Sequence, residues 1–363
     1  MQIADRPPPP NGVAESSTQV LISRTGWPIL PETRRTRGAT SAPGPPPPTT
    51  WAVVRTVCAM SLDGVLQKVL EAVPFQLTTD GGPEEARRRF AELPRTPMHP
   101  EVTAQDRTID GPDGPIAVRV YRPPSQRSVL PAVIYIHGGG WSVGDLDTYD
   151  EVARLHAAGA EAVVVSVDYR LAPEHPFPAA VDDVWAATQW VARHADQFGA
   201  DPDRVAVAGD SAGGNLAAVM AQLARDAGLG LRFQLLWYPS TTFDTSLPSF
   251  IENAAAPILT LAACKGFSRW YVGDTDLSAP PPTLVPARGD LTGLPPAYIA
   301  VAGHDPLRDD GTRYAELLTE AGTPVELHNA DSLVHGYVAY AGVVPAATEA
   351  TVRGVSALRA ALA

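Results

Sequence analysis

From residue 108 onward, short apolar runs alternate with longer amphipathic stretches. The runs at 132–136, 162–167, 205–208, 233–237, 297–302 and 325–327 are rich in Val, Ile, Leu and Ala and read as buried strands. Between and after them, 149–160, 179–195, 212–227, 308–321 and 346–362 repeat apolar residues at helical spacing. Residues 116–121 alternate and predict an antiparallel edge strand. Repeated strand and helix alternation predicts an α/β fold, with a mostly parallel central sheet covered by helices on both faces. In such a sheet, reactive groups gather at the carboxyl ends of the strands.

Two segments break the rhythm. Residues 60–105 are helical in pattern and precede the sheet, with Val65, Leu66, Val69, Leu70 and Val73 at helical spacing. Residues 241–281 contain no strand pattern. The expected organisation is an extension over 1–52, a cap in two parts over 53–105 and 241–281, and a catalytic domain over 106–240 and 282–363. No internal repeat is visible. Met60, just ahead of the first helical stretch, offers an alternative start.

Composition separates the extension from the rest. The chain has 363 residues, of which 37 are proline, and eleven of those fall in residues 1–50, including the runs Pro7 to Pro10 and Pro45 to Pro48. That segment has neither helical nor strand period and reads as a disordered or polyproline II linker. With 45% hydrophobic residues the remainder can bury a sizeable core. The net charge is −12; five Arg against Asp5, Glu15 and Glu32 give residues 1–50 a charge of +2 and leave −14 on the rest. An acidic body argues against nucleic acid as a partner. No apolar run is long enough to span a membrane, and no secretory h-region is present, so the expected location is cytoplasmic. The two cysteines, Cys58 and Cys264, cannot form a disulfide framework, although a single bridge between them is left open. No CxxC pattern suggests a metal.

Chemistry first shows at Gly209-Asp210-Ser211-Ala212-Gly213. It follows one strand and opens a helix, the context in which G-x-S-x-G presents a nucleophilic serine on a tight turn. A bare glycine turn is the alternative, and the strand–turn–helix setting favours the nucleophile. Upstream, His137-Gly138-Gly139-Gly140-Trp141 ends another strand. Its consecutive glycines leave backbone N–H groups free to face a developing oxyanion, and Ala212 N–H is a further donor. A phosphate cradle is excluded because neither GxGxxG nor GK[ST] is present. His137 reads as an orienter of this loop.

A serine needs a base, and the base needs a carboxylate to fix its tautomer. Of the eight histidines, His335 is placed on a loop after the last strand, at the sheet's carboxyl edge, and is the candidate base. Asp305 follows the strand at 297–302 and precedes Pro306, which makes it the candidate acid. Asp309 and Asp310 compete but open the next helix and suit its positive end. The order Ser211, Asp305, His335 is that of an α/β-hydrolase.

With these residues in place the sequence resembles the hormone-sensitive-lipase-like carboxylesterases, also called bacterial family IV esterases. The resemblance covers roughly residues 60–363. It is carried by His137 to Trp141, Asp168-Tyr169-Arg170-Leu171-Ala172-Pro173-Glu174, Gly209 to Gly214, Asp305 to Asp309, and His335-Gly336. It implies an α/β-hydrolase fold with a helical cap and a serine carboxylesterase of short to medium acyl esters, without metal or cofactor. By the same resemblance the protein is a monomer or homodimer. Ser211, Asp305 and His335 become the triad, with Gly138, Gly139, Gly140 and Ala212 around the oxyanion. Asp168, Tyr169, Arg170 and Glu174 brace the glycine loop.

Two departures stand out: His304 precedes the acid, and Asp331 lies near the base as a second carboxylate. Trp141, Phe243, Phe250, Phe267, Trp270 and Tyr271 are candidates for the pocket wall or the cap core. An amide or lactone hydrolase on the same triad stays open. So does a small-molecule-binding role of the kind seen in the plant gibberellin receptor, which resembles this family, although the presence of His335 counts against it.

Overall fold

The computed structural model describes residues 61–363. Residues 1–60, with the proline-rich extension, Met60 and Cys58, lie outside them. The strands are β1 (Thr103–Gly111), β2 (Gly114–Arg122), β3 (Leu130–Ile136), β4 (Val163–Asp168), β5 (Ala200–Asp210), β6 (Leu231–Trp237), β7 (Ala297–His304) and β8 (Val325–Val334). They form one sheet in the order β1-β2-β4-β3-β5-β6-β7-β8. The first two pairings, β1 with β2 and β2 with β4, are antiparallel, and the rest are parallel.

Burial follows from position in that order. Every residue of the central strand β3 is buried, as a parallel strand covered on both faces requires. Its side chains alternate between two cores. Ile134 and Ile136 pack with Val184 of α4 (Ala179–His194) and Leu216 of α5 (Ala212–Asp226), whereas Val133 and Tyr135 pack with Ala153 of α3 (Asp150–Ala160) and Leu358 of α9 (Pro345–Ala361). The α8 helix (Arg308–Glu320) joins the α4 and α5 side through Tyr314 and Leu318.

Sequence pattern and structure part company at both edges of the sheet. β1 has no run of apolar residues and was not expected: in Thr103–Gly111 only Ile109 is buried, so an edge strand leaves no pattern to read. β8 was expected to end at Leu327 but continues to Val334, because Asn329, Ala330 and, past an irregularity, Val334 still pair along β7. The register shifts between Ala302 and His304, opposite Ala330 and Val334. Gly303 sits at this irregularity, where any β-carbon would collide with the Asp331 carbonyl.

The two helical segments outside the alternation meet each other. α1 (Gly64–Ala72) is capped by Asp63, whose carboxylate accepts from Val65 N and Leu66 N. It is followed by α2 (Gly82–Ala91), and the later segment holds α6 (Pro248–Glu252) and α7 (Leu261–Val272). Leu77 N donates to Ile258 O at 2.8 Å and Gln76 Nε2 to Ala256 O at 3.1 Å. Ala86, Phe250, Leu259, Ala263 and Phe267 then share an apolar cluster with Val143 and Leu307 of the sheet's carboxyl-end loops.

Trp237, at the end of β6, is fully buried and donates its indole N–H to His156 Nε2 at 3.0 Å. The hydrogen bond holds the ring in place against α9, where Gly354 leaves no room for a side chain. Gly354→Val is expected to destabilise the fold by about 1–3 kcal/mol through overpacking, seen as an earlier urea midpoint at unchanged m value.

Candidate active site

Ser211 lies between β5 and α5 with φ 55° and ψ −116°, a strained conformation for a residue with a side chain. Its N–H donates to Trp237 O at 2.8 Å and its carbonyl accepts from Asn215 N at 3.0 Å, so both flanking elements hold the turn. Gly213 must be glycine because a β-carbon there would strike the Ile136 carbonyl of β3. The turn pushes Ser211 Oγ out at the carboxyl end of the sheet.

His335 Nε2 is 2.9 Å from Ser211 Oγ, and His335 Nδ1 is 2.7 Å from Asp305 Oδ2. Residues 124 and 30 positions apart in sequence thus form one hydrogen-bonded chain. Asp305 is fully buried, and its second oxygen accepts from Leu307 N at 2.8 Å. Asn253, just after α6, donates to the carbonyls of Gly303 and Asp305, and Ser249 Oγ donates to Pro306 O at 2.6 Å. The later helical segment therefore fixes the loop that carries the carboxylate. His335 directly follows β8 instead of standing on a separate loop, and its ring lies 4.7 Å from that of Tyr238.

The glycine loop follows β3, beside the Ser211 turn, because β3 and β5 are neighbours with Ile136 opposite Gly209. Gly139 O accepts from Ser142 N and Val143 N, which curls the loop. The N–H groups of Gly139, Gly140 and Ala212 have no hydrogen-bond acceptor among the described residues. Gly138 is different. Its N–H donates to Asp210 Oδ1 at 2.9 Å, which removes it from the free donors expected around the oxyanion.

Asp210 was passed over in the sequence as the variable position of G-x-S-x-G. It is buried and also accepts from Tyr135 OH at 2.9 Å and Tyr149 OH at 3.1 Å. Burial pushes its carboxyl up to about 6, against the pull of these three donors. His137 donates from Nδ1 to Gly138 O at 2.8 Å and stacks on Tyr169, ring centroids 4.2 Å apart. Burial pushes its imidazole down to about 4, so it stays neutral and acts as a spacer beneath the loop.

Of the four residues expected to brace the loop, Tyr169 does so directly, donating its hydroxyl to His137 O at 2.8 Å. Glu174 acts through Arg87 of α2, whose guanidinium also donates to Ser142 O and Ala172 O. Arg170 instead grips Asp183 of α4 with two bonds of 2.8 Å. Asp168 stands at the end of β4, with its carboxyl pushed up to about 6 by burial. Asp331 is exposed and accepts from Asn329, away from His335, so it is no second carboxylate for the base.

Ser211 borders two cavities. The larger, about 350 Å³, is also lined by His335 and Gly139 and by Val69, Phe75, Phe90, Met98 and Tyr340. The smaller, about 40 Å³, is lined by Gly140, Ala212, Trp141, Leu259, Cys264 and Phe267. Among the six aromatics named from sequence, only Trp141 and Phe267 reach either cavity. Trp141 stacks on Tyr271 at 4.3 Å and Phe243 packs on Trp141 at 5.6 Å, while Phe250 is buried in the α6 and α7 cluster. Trp270 packs edge-on against Phe267.

Asp309 and Asp310 do open α8, yet they serve the neighbouring segment more than the helix end. Asp309 accepts from Ser249 N. Asp310 is fully buried, and Oδ1 accepts from Thr241 N, Thr241 Oγ1 and Thr242 N, while Oδ2 has no partner. Burial raises its carboxyl from 3.8 to about 6. The native state therefore holds a proton that the unfolded chain has released between these values, and stability falls as pH rises through that window. Asp310→Asn keeps an oxygen for the three donors and cannot ionise. The stability difference between parent and variant is expected to move by up to about 3 kcal/mol in the variant's favour from pH 4 to 7, read from urea unfolding at each pH.

Comparison with known proteins agrees with this architecture. Residues 133–339 match the model of an alpha/beta hydrolase fold family. The chain is 62% identical over 306 residues to an esterase of Mycobacterium tuberculosis, LipI, covering 83% of this chain and 96% of that protein. It is 58% identical over 314 residues to the carboxylesterase NlhH of the same organism, covering 85% and 98%. The crystal structure of DphMB1 superposes with a TM-score of 0.81 at 65% identity, covering 83% of this chain and 99% of that one.

Proposed function

Since the chain belongs to the hormone-sensitive-lipase-like carboxylesterases of the α/β-hydrolase fold and is a carboxylic ester hydrolase, we propose that it works through Ser211, His335 and Asp305 by way of an acyl-enzyme. The observation that supports this most directly is the unbroken hydrogen-bonded chain from Asp305 through His335 to Ser211, set beside three unengaged N–H groups. Ser211 Oγ attacks the ester carbonyl while His335 Nε2 takes its proton. Asp305 holds the Nδ1–H tautomer and stabilises the imidazolium. Gly139, Gly140 and Ala212 N–H receive the oxyanion. His335 then returns the proton to the departing alcohol, and a water activated by the same nitrogen releases the acid.

In this reading the segments holding α1, α2, α6 and α7 are a cap. They supply apolar walls to both cavities, and α6 steadies the Asp305 loop. Asp210 sets the spacing between nucleophile and oxyanion donors, since its carboxylate binds the glycine loop from the residue before the serine.

Ser211→Ala is expected to lower kcat/KM for a simple ester by about 10⁴-fold or more, and retention within about tenfold would overturn the assignment. Matched ester and anilide substrates should differ strongly in favour of the ester; equal rates would point to amide hydrolysis. Asp210→Asn is expected to fold and to lose about 10–100-fold in kcat with little change in KM, because it loosens the donors around the transition state and not the binding walls. Circular dichroism alongside the kinetics separates that loss from unfolding.

A further inference from the structure

The two cavities on either side of Ser211 are not equivalent, and their borders say which half of an ester each one receives. A departing alcohol oxygen has to lie within hydrogen-bond reach of the nitrogen that protonates it. His335 lines the larger cavity and does not line the smaller. Gly140 and Ala212, two of the three oxyanion donors, line the smaller one, with Ser211 common to both. An ester whose carbonyl oxygen faces those donors and whose bridging oxygen faces His335 must send its alcohol part into the larger cavity and its acyl chain into the smaller.

Volume then decides the substrate. The cavity of about 40 Å³ is far smaller than that of about 350 Å³, so a short chain suits the first and a long one the second. The small cavity is lined by Leu77, Leu259, Cys264, Phe267 and Leu307 and has no charged lining. The charged groups of the large cavity hydrogen-bond within the protein. Asp210 holds two tyrosines and Gly138 N, Arg95 donates to four backbone carbonyls, and Glu151 accepts from Met98 N.

Resting on the triad reading above, we propose that the enzyme's substrates are esters of short acids, acetyl to butanoyl, with large apolar alcohols. Leu259 and Cys264 set the acyl limit, and Val69, Phe75 and Met98 form the alcohol wall. This narrows the expectation of short to medium acyl chains and moves the main source of binding energy to the other side of the carbonyl.

Octyl acetate and ethyl octanoate are isomers of matched hydrophobicity that differ only in which side of the carbonyl is long. On the full chain, kcat/KM for octyl acetate is expected to exceed that for ethyl octanoate by at least about 30-fold, since six methylenes fit one cavity and not the other. Equal values or the reverse order would overturn the assignment of sides. Ser211→Ala, assayed on both isomers, keeps the two claims apart. If it stays active the triad reading fails, whereas an inactive variant beside a parent that prefers ethyl octanoate defeats only the cavity assignment. Leu259→Ala, confirmed folded, is expected to shrink the preference about tenfold by enlarging the acyl side. An unmoved ratio in that folded variant would count against the small cavity as the acyl site.

Discussion

The buried carboxylate of Asp210 accepts three hydrogen bonds, and each donor comes from a different part of the fold. Tyr135 reaches it from β3, Tyr149 from the residue before α3, and Gly138 N–H from the glycine loop. An unpaired buried carboxylate would cost several kcal/mol, so these groups are bound to one another as a condition of folding. Ser211 follows Asp210 directly, and Gly139 and Gly140 follow Gly138. The distance from Ser211 to the free N–H groups of Gly139 and Gly140 is thus set by a structural hydrogen bond. The strain at Ser211 fits the same picture: a turn held by Trp237 O on one side and by Asp210 on the other can keep an unfavourable φ.

The sheet order is what lets this happen. With β3 between β4 and β5, the chain leaves β3 and β5 at adjacent points and in the same direction. Both reactive loops open at that edge, and β7 and β8 deliver Asp305 and His335 to it from two positions further along. The irregularity at Gly303 adjusts the last step. Without it, β8 would run in plain register and the residue after Val334 would emerge elsewhere along the β7 edge.

Much of this was legible in the sequence because the setting of each residue between strand, turn and helix favours one role over its alternatives. A glycine-flanked serine between strand and helix, three consecutive glycines after a strand, and an aspartate held before a proline stand out from their surroundings in this way. The central strands were legible for a related reason, since burial on both faces leaves an uninterrupted apolar run. What stayed hidden depends on partners far away in sequence. β1 is an exposed edge and carries no period. β8 continues through polar residues that only its pairing with β7 makes a strand. Gly138 looks like Gly139 until the neighbouring carboxylate is seen to claim its N–H. The six aromatics stayed undivided between pocket wall and cap core because sequence cannot say whether a ring meets a cavity or another ring; only Trp141 and Phe267 line a cavity. Trp141 and Tyr271 stack on each other.

The helical segments do more than roof the site. Arg87 of α2 binds Ser142 O just after the glycine loop, Asn253 and Ser249 bind the carbonyls around Asp305, and Asp310 binds the backbone where the later segment begins. Most of these contacts are polar and directional, and they meet loops that carry the chemistry, whereas the contacts that line the two cavities are apolar. Apolar walls tolerate changes of shape at modest cost, while a lost hydrogen bond to a buried carbonyl leaves a group unsatisfied. Helical segments built this way can vary their cavity surfaces without disturbing the Asp305 carboxylate, the His335 imidazole or the free N–H groups beside Ser211. Separation of the two kinds of contact allows one catalytic apparatus to serve different esters.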